Sequence, residues 1–230
     1  MEQIKAFEAK TGISFENQAL LRQAFTHRSY INENRSLKLE HNERLEFLGD
    51  AVLELIVTDF LYRNYPNNPE GDLTTYRSAL VNAVTLSEVA SGLGMNDCML
   101  LSKGESKDTG RARQYILANA IEAVIGAIYL DKGYDAAKVF IDKNLLNFAE
   151  KLIARGNLTD SKSLFQEKSQ ELEGVTPVYR TVKENGPDHD KFFTVGVYLN
   201  KDQVALGEGK SKQEAEQNAA YRALEAKSWI

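Results

Sequence analysis

Glu43, Glu46 and Asp50 fall at i, i+3 and i+7 of the segment ERLEFLGDAVLELI, residues 43–56. The segment has the apolar recurrence of an amphipathic helix, and at about 100° per residue the three acids share a sector of roughly 60°. Leu45, Leu48, Val52, Leu55 and Ile56 are assigned to the opposite side. Neither glutamate has a basic residue at i+4: Glu43 meets Phe47 and Glu46 meets Asp50. A solvated surface helix would normally place Lys there, whereas a like-charged i,i+4 pair costs about 0.2–0.5 kcal/mol. Acids left uncompensated at one place suit a cation, although a plain solvated polar face remains the bland reading.

A second helix bears on the choice. Residues 116–130 are mostly apolar yet carry Asn119 and Glu122, three apart. A carboxylate inside such a helix is costly unless it is paired or bound to metal. Oxygen donors from two packed helices, with no His or Cys among them, suit Mg²⁺ or Mn²⁺ rather than Zn²⁺. Carboxylate-held Mg²⁺ is a common device for phosphoester hydrolysis.

The elements that must carry these residues divide the chain. From residue 1 to about 155 the pattern is helical nearly throughout, with further helical stretches expected over Leu73–Leu93, Arg113–Leu130 and Asp135–Ala154. Arg155-Gly156-Asn157 reads as a helix stop, which puts a boundary near 157 and two domains at 1–156 and 160–230. Beyond the boundary the spacing predicts a helix from Asp160 to Glu173 and strands over Val178–Lys183, Phe192–Leu199 and Gln203–Gly207. A last helix runs from Lys212 to Ala226. The fold class is therefore an all-α domain followed by a small α+β domain of order α-β-β-β-α, with both helices on one face of its sheet.

Bulk properties narrow the class. A net charge of −5 argues weakly against a nucleic-acid partner, so any such site must come from local arrangement. The single Cys98 excludes an internal disulfide framework, and the start Met1-Glu2-Gln3 has no basic-then-apolar signal pattern; together they point to a reducing cytoplasm. Residues 116–130 are too short to span a bilayer, so no membrane association is expected.

HNERLEFLGDAVLE (41–54), AFTHRSY (24–30), PEGDLTTYRSALVN (69–82) and ILANAIEAVIGAIYLD (116–131) together resemble the bacterial ribonuclease III family over nearly the whole chain. The resemblance implies that Glu46 and Glu122 ligate metal directly, with Asp50 and Glu122 catalytic and Glu43 and Asp50 supporting. It further implies that Glu70 assists near a dimer interface and that Phe47 plugs a cavity in a partner subunit. One position departs from the family: Asn119 stands where Asp is usual. An amide oxygen can still ligate or hold a metal-bound water, but the site loses one negative charge, and weaker Mg²⁺ affinity is expected.

The C-terminal part carries a second resemblance. Ser211-Lys212-Gln213-Glu214 has the form of a capping box, and the first turn it opens, flanked by Lys210 and Lys212, could seat a phosphate. GEGKSKQEAEQNAAYRAL, with GPDHDKFFTVGVYL before it, resembles the double-stranded RNA-binding domain. That implies contacts from Gln166 and His189 to 2′-hydroxyls and base edges, and from Lys210 and Lys212 to the backbone. Gln213 stands where a further Lys is frequent. Ala215, Ala219, Ala223 and Leu224 are expected in the core, with Tyr179 and Tyr198 packing.

The expectation is a homodimeric, Mg²⁺-dependent endoribonuclease that cuts double-stranded RNA, Mn²⁺ substituting. Two alternatives stay open at this level: a double-stranded RNA-binding protein whose cleavage is weakened or lost through Asn119, and a hydrolase of small phosphoesters.

Overall fold

The structure, a computed structural model, describes residues 2–148, 161–186 and 191–230. The chain divides into two compact units. The expected boundary near 157, with its Arg155-Gly156-Asn157 stop, lies outside the described residues.

The described part of the first unit consists of helices α1 (Glu2–Thr11), α2 (Gln18–Ala24), α3 (Arg28–Glu33), α4 (Glu43–Asn64), α5 (Glu70–Leu80), α6 (Ala83–Gly92), α7 (Arg111–Lys132) and α8 (Tyr134–Asn144), with short 3₁₀ turns between α3 and α4, between α6 and α7 and after α8. Glu43 and Glu46 in the first turn of α4 complement its dipole, and Tyr65-Pro66 stops it because proline cannot continue the ladder. α7 ends at Gly133, whose φ of 81° is cheap only for glycine. These two 22-residue helices pack together as the centre of the unit, with Leu53, Ile56, Ile125 and Ile128 sealed between them and their neighbours.

Three local expectations are corrected. Leu73–Leu93 is not one helix: it breaks at Val81-Asn82, where the Asn82 side chain accepts from the Thr85 N–H at 2.9 Å and caps α6. The helix expected over Asp135–Ala154 closes as α8 at Asn144, and residues 149–154 lie outside the described set. On α4 the acids do not stand opposite the buried side. Leu53, Val57 and Leu61 are buried at nearly the same angular positions as Glu46, Asp50 and Glu43, so the acids share one edge of the buried arc; Leu55, by contrast, is 58% exposed. The arc that α7 covers is rotated from the one that hydrophobicity alone suggests.

The second unit is α9 (Ser161–Glu173), β1 (Val178–Asn185), β2 (Phe192–Leu199), β3 (Asp202–Gly209) and α10 (Lys212–Ala226). Its strands form one antiparallel sheet in the order β1-β2-β3, and Asn200, at φ 56°, turns the chain between β2 and β3. Val195, Val197 and Leu199 are buried on the inner face, where α10 covers β2 and β3 and α9 packs on α10. A Cβ on Gly207 would overlap the backbone of Ala215 and Ala219, so small residues on both sides set this close approach. Ala215, Ala219, Ala223 and Leu224 are fully buried, as expected.

Candidate active site and nucleic-acid interface

α4 and α7 touch backbone to backbone. A Cβ on Gly49 would overlap the Glu122 carbonyl and stand 2.8 Å from the Gly126 nitrogen; a Cβ on Gly126 would overlap the Leu45 carbonyl. Glu46 and Asp50 bracket Gly49 on α4, while Asn119, Glu122 and Gly126 lie within about 60° on α7. The crossing therefore presses two acids of one helix against one acid and one amide of the other.

The electrostatics record that proximity. Burial pushes the Glu122 carboxyl up to about 8, and the charges of Asp50 and Glu46 push it the same way. Glu46 is also raised, first by burial and then by Glu43, while a hydrogen bond from Asn119 opposes and Asp50 adds. Asn119 thus serves Glu46 as a partner. An Asp there would have added a like charge in its place.

The donor set, carboxylate and amide oxygens on two packed helices, fits a hard divalent cation such as Mg²⁺. Like charges that raise one another's proton affinity are relieved by such an ion. Among the described residues, though, no three His, Cys, Asp or Glu side chains converge closely enough to enclose an ion in the arrangement present.

Glu43 is not uncompensated. Its Oε1 lies 3.3 Å from Arg28 Nη1, and its Oε2 3.7 Å from His41 Nδ1. Arg28 is fifteen residues away, so no helical spacing rule exposes the pair. Just before it, His27 caps its own helix, Nδ1 accepting from the Ser29 N–H at 3.3 Å. Glu70 opens α5, where it accepts from the Thr74 hydroxyl at 3.1 Å. α4 continues fourteen residues past Asp50, about 21 Å, before the turn that leads to Glu70.

Phe47 is 82% exposed, with Leu55 and Tyr62 (73%) within about 80° of it on the side of α4 turned from the core. Phe47 also lines a groove of about 600 Å³ with Leu20, Leu45, Leu48 and Leu130.

In the second unit Gln166 is exposed on α9, one turn beyond Lys162. Lys162 is held by Glu216 at 2.6 Å and sits 4.9 Å over the Tyr179 ring. Tyr198 lies on the outer sheet face under Arg180, 5.2 Å away. Ser211 caps α10 by accepting from the Glu214 N–H at 3.1 Å, but Glu214 Oε2 accepts from the Lys210 N–H at 2.7 Å, one residue upstream of the expected box. Lys212 lies 2.9 Å from Glu184 Oε1 and 5.6 Å over the Phe193 ring. His189 lies outside the described residues.

Sequence reasoning missed Gly49, Gly126 and Glu184. Only the glycines left a signal, as isolated glycines inside long apolar helices.

Two family models match successive parts of the chain. Residues 17–148 match the model of the family described as Ribonuclease-III-like, and residues 161–227 match the double-stranded RNA binding motif. The chain is 45% identical over 224 residues to Ribonuclease 3 of Protochlamydia amoebophila, covering 97% of this chain and 92% of that protein. It is 47% identical over 215 residues to Ribonuclease 3 of Enterococcus faecalis, covering 94% and 93%. A crystal structure of the nuclease domain of ribonuclease III from Campylobacter jejuni superposes with a TM-score of 0.57 at 38% identity, covering 66% of this chain and 97% of that one. A second structure of that domain, with a TM-score of 0.56 at 38% identity over 64% of this chain and 96% of that one, concerns flexibility in a region involved in dimer formation. A nuclease model that matches more than half of the chain, and relatives 45% and 47% identical over nearly its whole length, place this chain in the ribonuclease III family.

Proposed function

We propose that the chain is a Mg²⁺-dependent endoribonuclease that hydrolyses double-stranded RNA, with 1–156 as the nuclease domain and 160–230 as the RNA-binding domain. The observation that carries the reading is the α4–α7 crossing at Gly49 and Gly126, which sets Glu46 and Asp50 against Glu122. Glu46 and Glu122 would hold the ion, with Asn119 orienting Glu46 and with Asp50 and Glu43 adding negative field. When bound, Mg²⁺ (or Mn²⁺) supplies neutralising charge at the phosphodiester and a more acidic water. In-line attack by water leaves a 5′-phosphate and a 3′-hydroxyl, and no side-chain nucleophile is needed.

Phe47, Leu55 and Tyr62 form an apolar face that a second copy of the chain would cover. A homodimer also gives Glu70 a route to the acids of the second copy. Two centres acting on opposite strands would leave short 3′ overhangs. Maturation of ribosomal RNA, messenger turnover and processing of structured transcripts in the cytoplasm are the roles that fit. Among the described residues no helix is long and apolar enough to cross a membrane.

The test is incubation of the purified protein with long duplex RNA and Mg²⁺ beside Glu122→Ala. Short duplexes with 5′-phosphates, absent with the variant, are expected. Duplex bound but left intact by the unmodified protein would overturn the reading.

A further inference from the structure

The RNA-binding unit is not basic. From Asp160 onward the chain carries 10 Lys and Arg against 12 Asp and Glu, a net of −2. Affinity for phosphates then depends on a few cations, and on whether those cations are available. Lys212, in the first turn of α10, is one of them. Its ammonium is engaged by Glu184 Oε1 at 2.9 Å and lies over the Phe193 ring. The two acidic and basic partners come from different elements, Glu184 near the end of β1 and Lys212 at the start of α10, and β1 pairs Glu184 directly with Phe193. Both side chains remain solvent-accessible, 57% for Lys212 and 40% for Glu184, so the pair is positioned to be broken by a competing anion.

We propose that Glu184 is a brake on duplex-RNA affinity: its carboxylate occupies Lys212 in the free protein and must be displaced before that lysine neutralises a phosphate. The proposal rests on reading this unit as the RNA-binding domain. The chemistry is ion exchange at one ammonium. A phosphate arriving at Lys212 displaces Glu184, and the displaced carboxylate stays nearby as a like charge. The Glu184 carboxyl is held below its usual range by the hydrogen bond from Lys212, with Lys191 adding to the field, so it stays ionised and competing at neutral pH. An exposed ion pair is a modest interaction. The brake is therefore a tuning device: it lowers affinity without closing the site, and it lowers the number of counterions that binding releases.

The experiment is equilibrium binding of the full chain to a fluorescein-labelled RNA duplex, without divalent ions so that no cleavage occurs, between about 50 and 200 mM salt. The proteins are the unmodified chain, Glu184→Gln, Lys212→Ala and the double variant. Glu184→Gln is expected to bind about 2- to 5-fold tighter at the low-salt end, the affinity equivalent of an exposed ion pair. Its plot of log affinity against log salt should steepen by up to about 0.9, because no displaced carboxylate takes up a cation as the phosphate arrives. The gain should vanish when Lys212 is also Ala. Unchanged or weaker binding by Glu184→Gln beside an unmodified chain that binds would overturn the proposal alone, since Glu184 would then be neutral or would support Lys212. A gain of full size in the double variant would assign the effect to net charge and overturn it equally. Absence of binding by all four proteins would overturn both the brake and the RNA-binding reading.

Discussion

Gly49 and Gly126 face each other across the α4–α7 crossing so closely that a Cβ on Gly49 would stand 2.8 Å from the Gly126 nitrogen, and one on Gly126 would stand 3.1 Å from the Gly49 nitrogen. Neither obstacle is a side chain that could swing away. Gly49→Ala must therefore push the helices apart, at a cost of about 1–3 kcal/mol or more. Gly71, in α5, has nothing within 4 Å of its Cβ position. Gly71→Ala should leave stability unchanged or raise it by up to about 1 kcal/mol. Urea denaturation of both variants checks the contrast, and equal effects would contradict the crossing described.

Glu122 should make the metal-free protein less stable as pH rises. Its folded value of about 8 lies above the ordinary 4.5, so the fold prefers the protonated form. Its contribution is complete below the ordinary value and is lost as pH rises through about 8. Glu122→Gln keeps a neutral group at all pH. In the absence of divalent ions it should equal the unmodified protein near pH 4.5 and exceed its stability by on the order of 2 kcal/mol above pH ~8, after allowance for partial solvent screening. Denaturation midpoints at the two extremes, in a chelator, measure the difference. A constant offset would show that Glu122 is solvated.

Asn119→Asp should act in opposite directions on stability and on metal affinity. The substitution removes the donor to Glu46 and adds a fourth acid beside Glu46, Asp50 and Glu122. The metal-free protein should lose about 1 kcal/mol or more, while Mn²⁺ binding, followed by titration calorimetry, should tighten. Cleavage at low Mg²⁺ should improve with it. No gain in ion affinity would refute the charge argument for this position.

Phe47→Ala should separate association from folding. Phe47 is 82% exposed, so its truncation costs the monomer little. If a second copy covers it, the sedimentation coefficient should fall toward that of a monomer while the unfolding midpoint of the dissociated chain is unchanged. Retention of a dimer of unaltered affinity would move the interface elsewhere.

Asn42 is 2% exposed; its side-chain amide donates to the Ala24 carbonyl at 3.2 Å, and its N–H donates to the Thr26 carbonyl at 2.9 Å. It ties the start of α4, and thereby Glu43 and Glu46, to the end of α2. Asn42→Ala should cost about 1–3 kcal/mol by leaving the Ala24 carbonyl unpaired, measurable by thermal unfolding at fixed pH.

Sequence alone determined what depends on local periodicity and residue chemistry. The 3.6-residue recurrence around Val52 and Ile56 specified α4, the alternation of Val195, Val197 and Leu199 specified an inward strand face, and the run Glu43, Glu46, Asp50 marked the acids as a group. Helix boundaries were less legible, because a capping Asn such as Asn82 stops one helix and starts the next without interrupting the apolar pattern. Only the tertiary structure decided which arc of α4 is buried, since that depends on where α7 lies, and α7 lies where Gly49 and Gly126 allow two backbones to meet. The same holds for charge compensation. Arg28 with Glu43, and Glu184 with Lys212, are pairs between elements distant in the chain, and a one-dimensional pattern carries no record of which distant side chains share a surface.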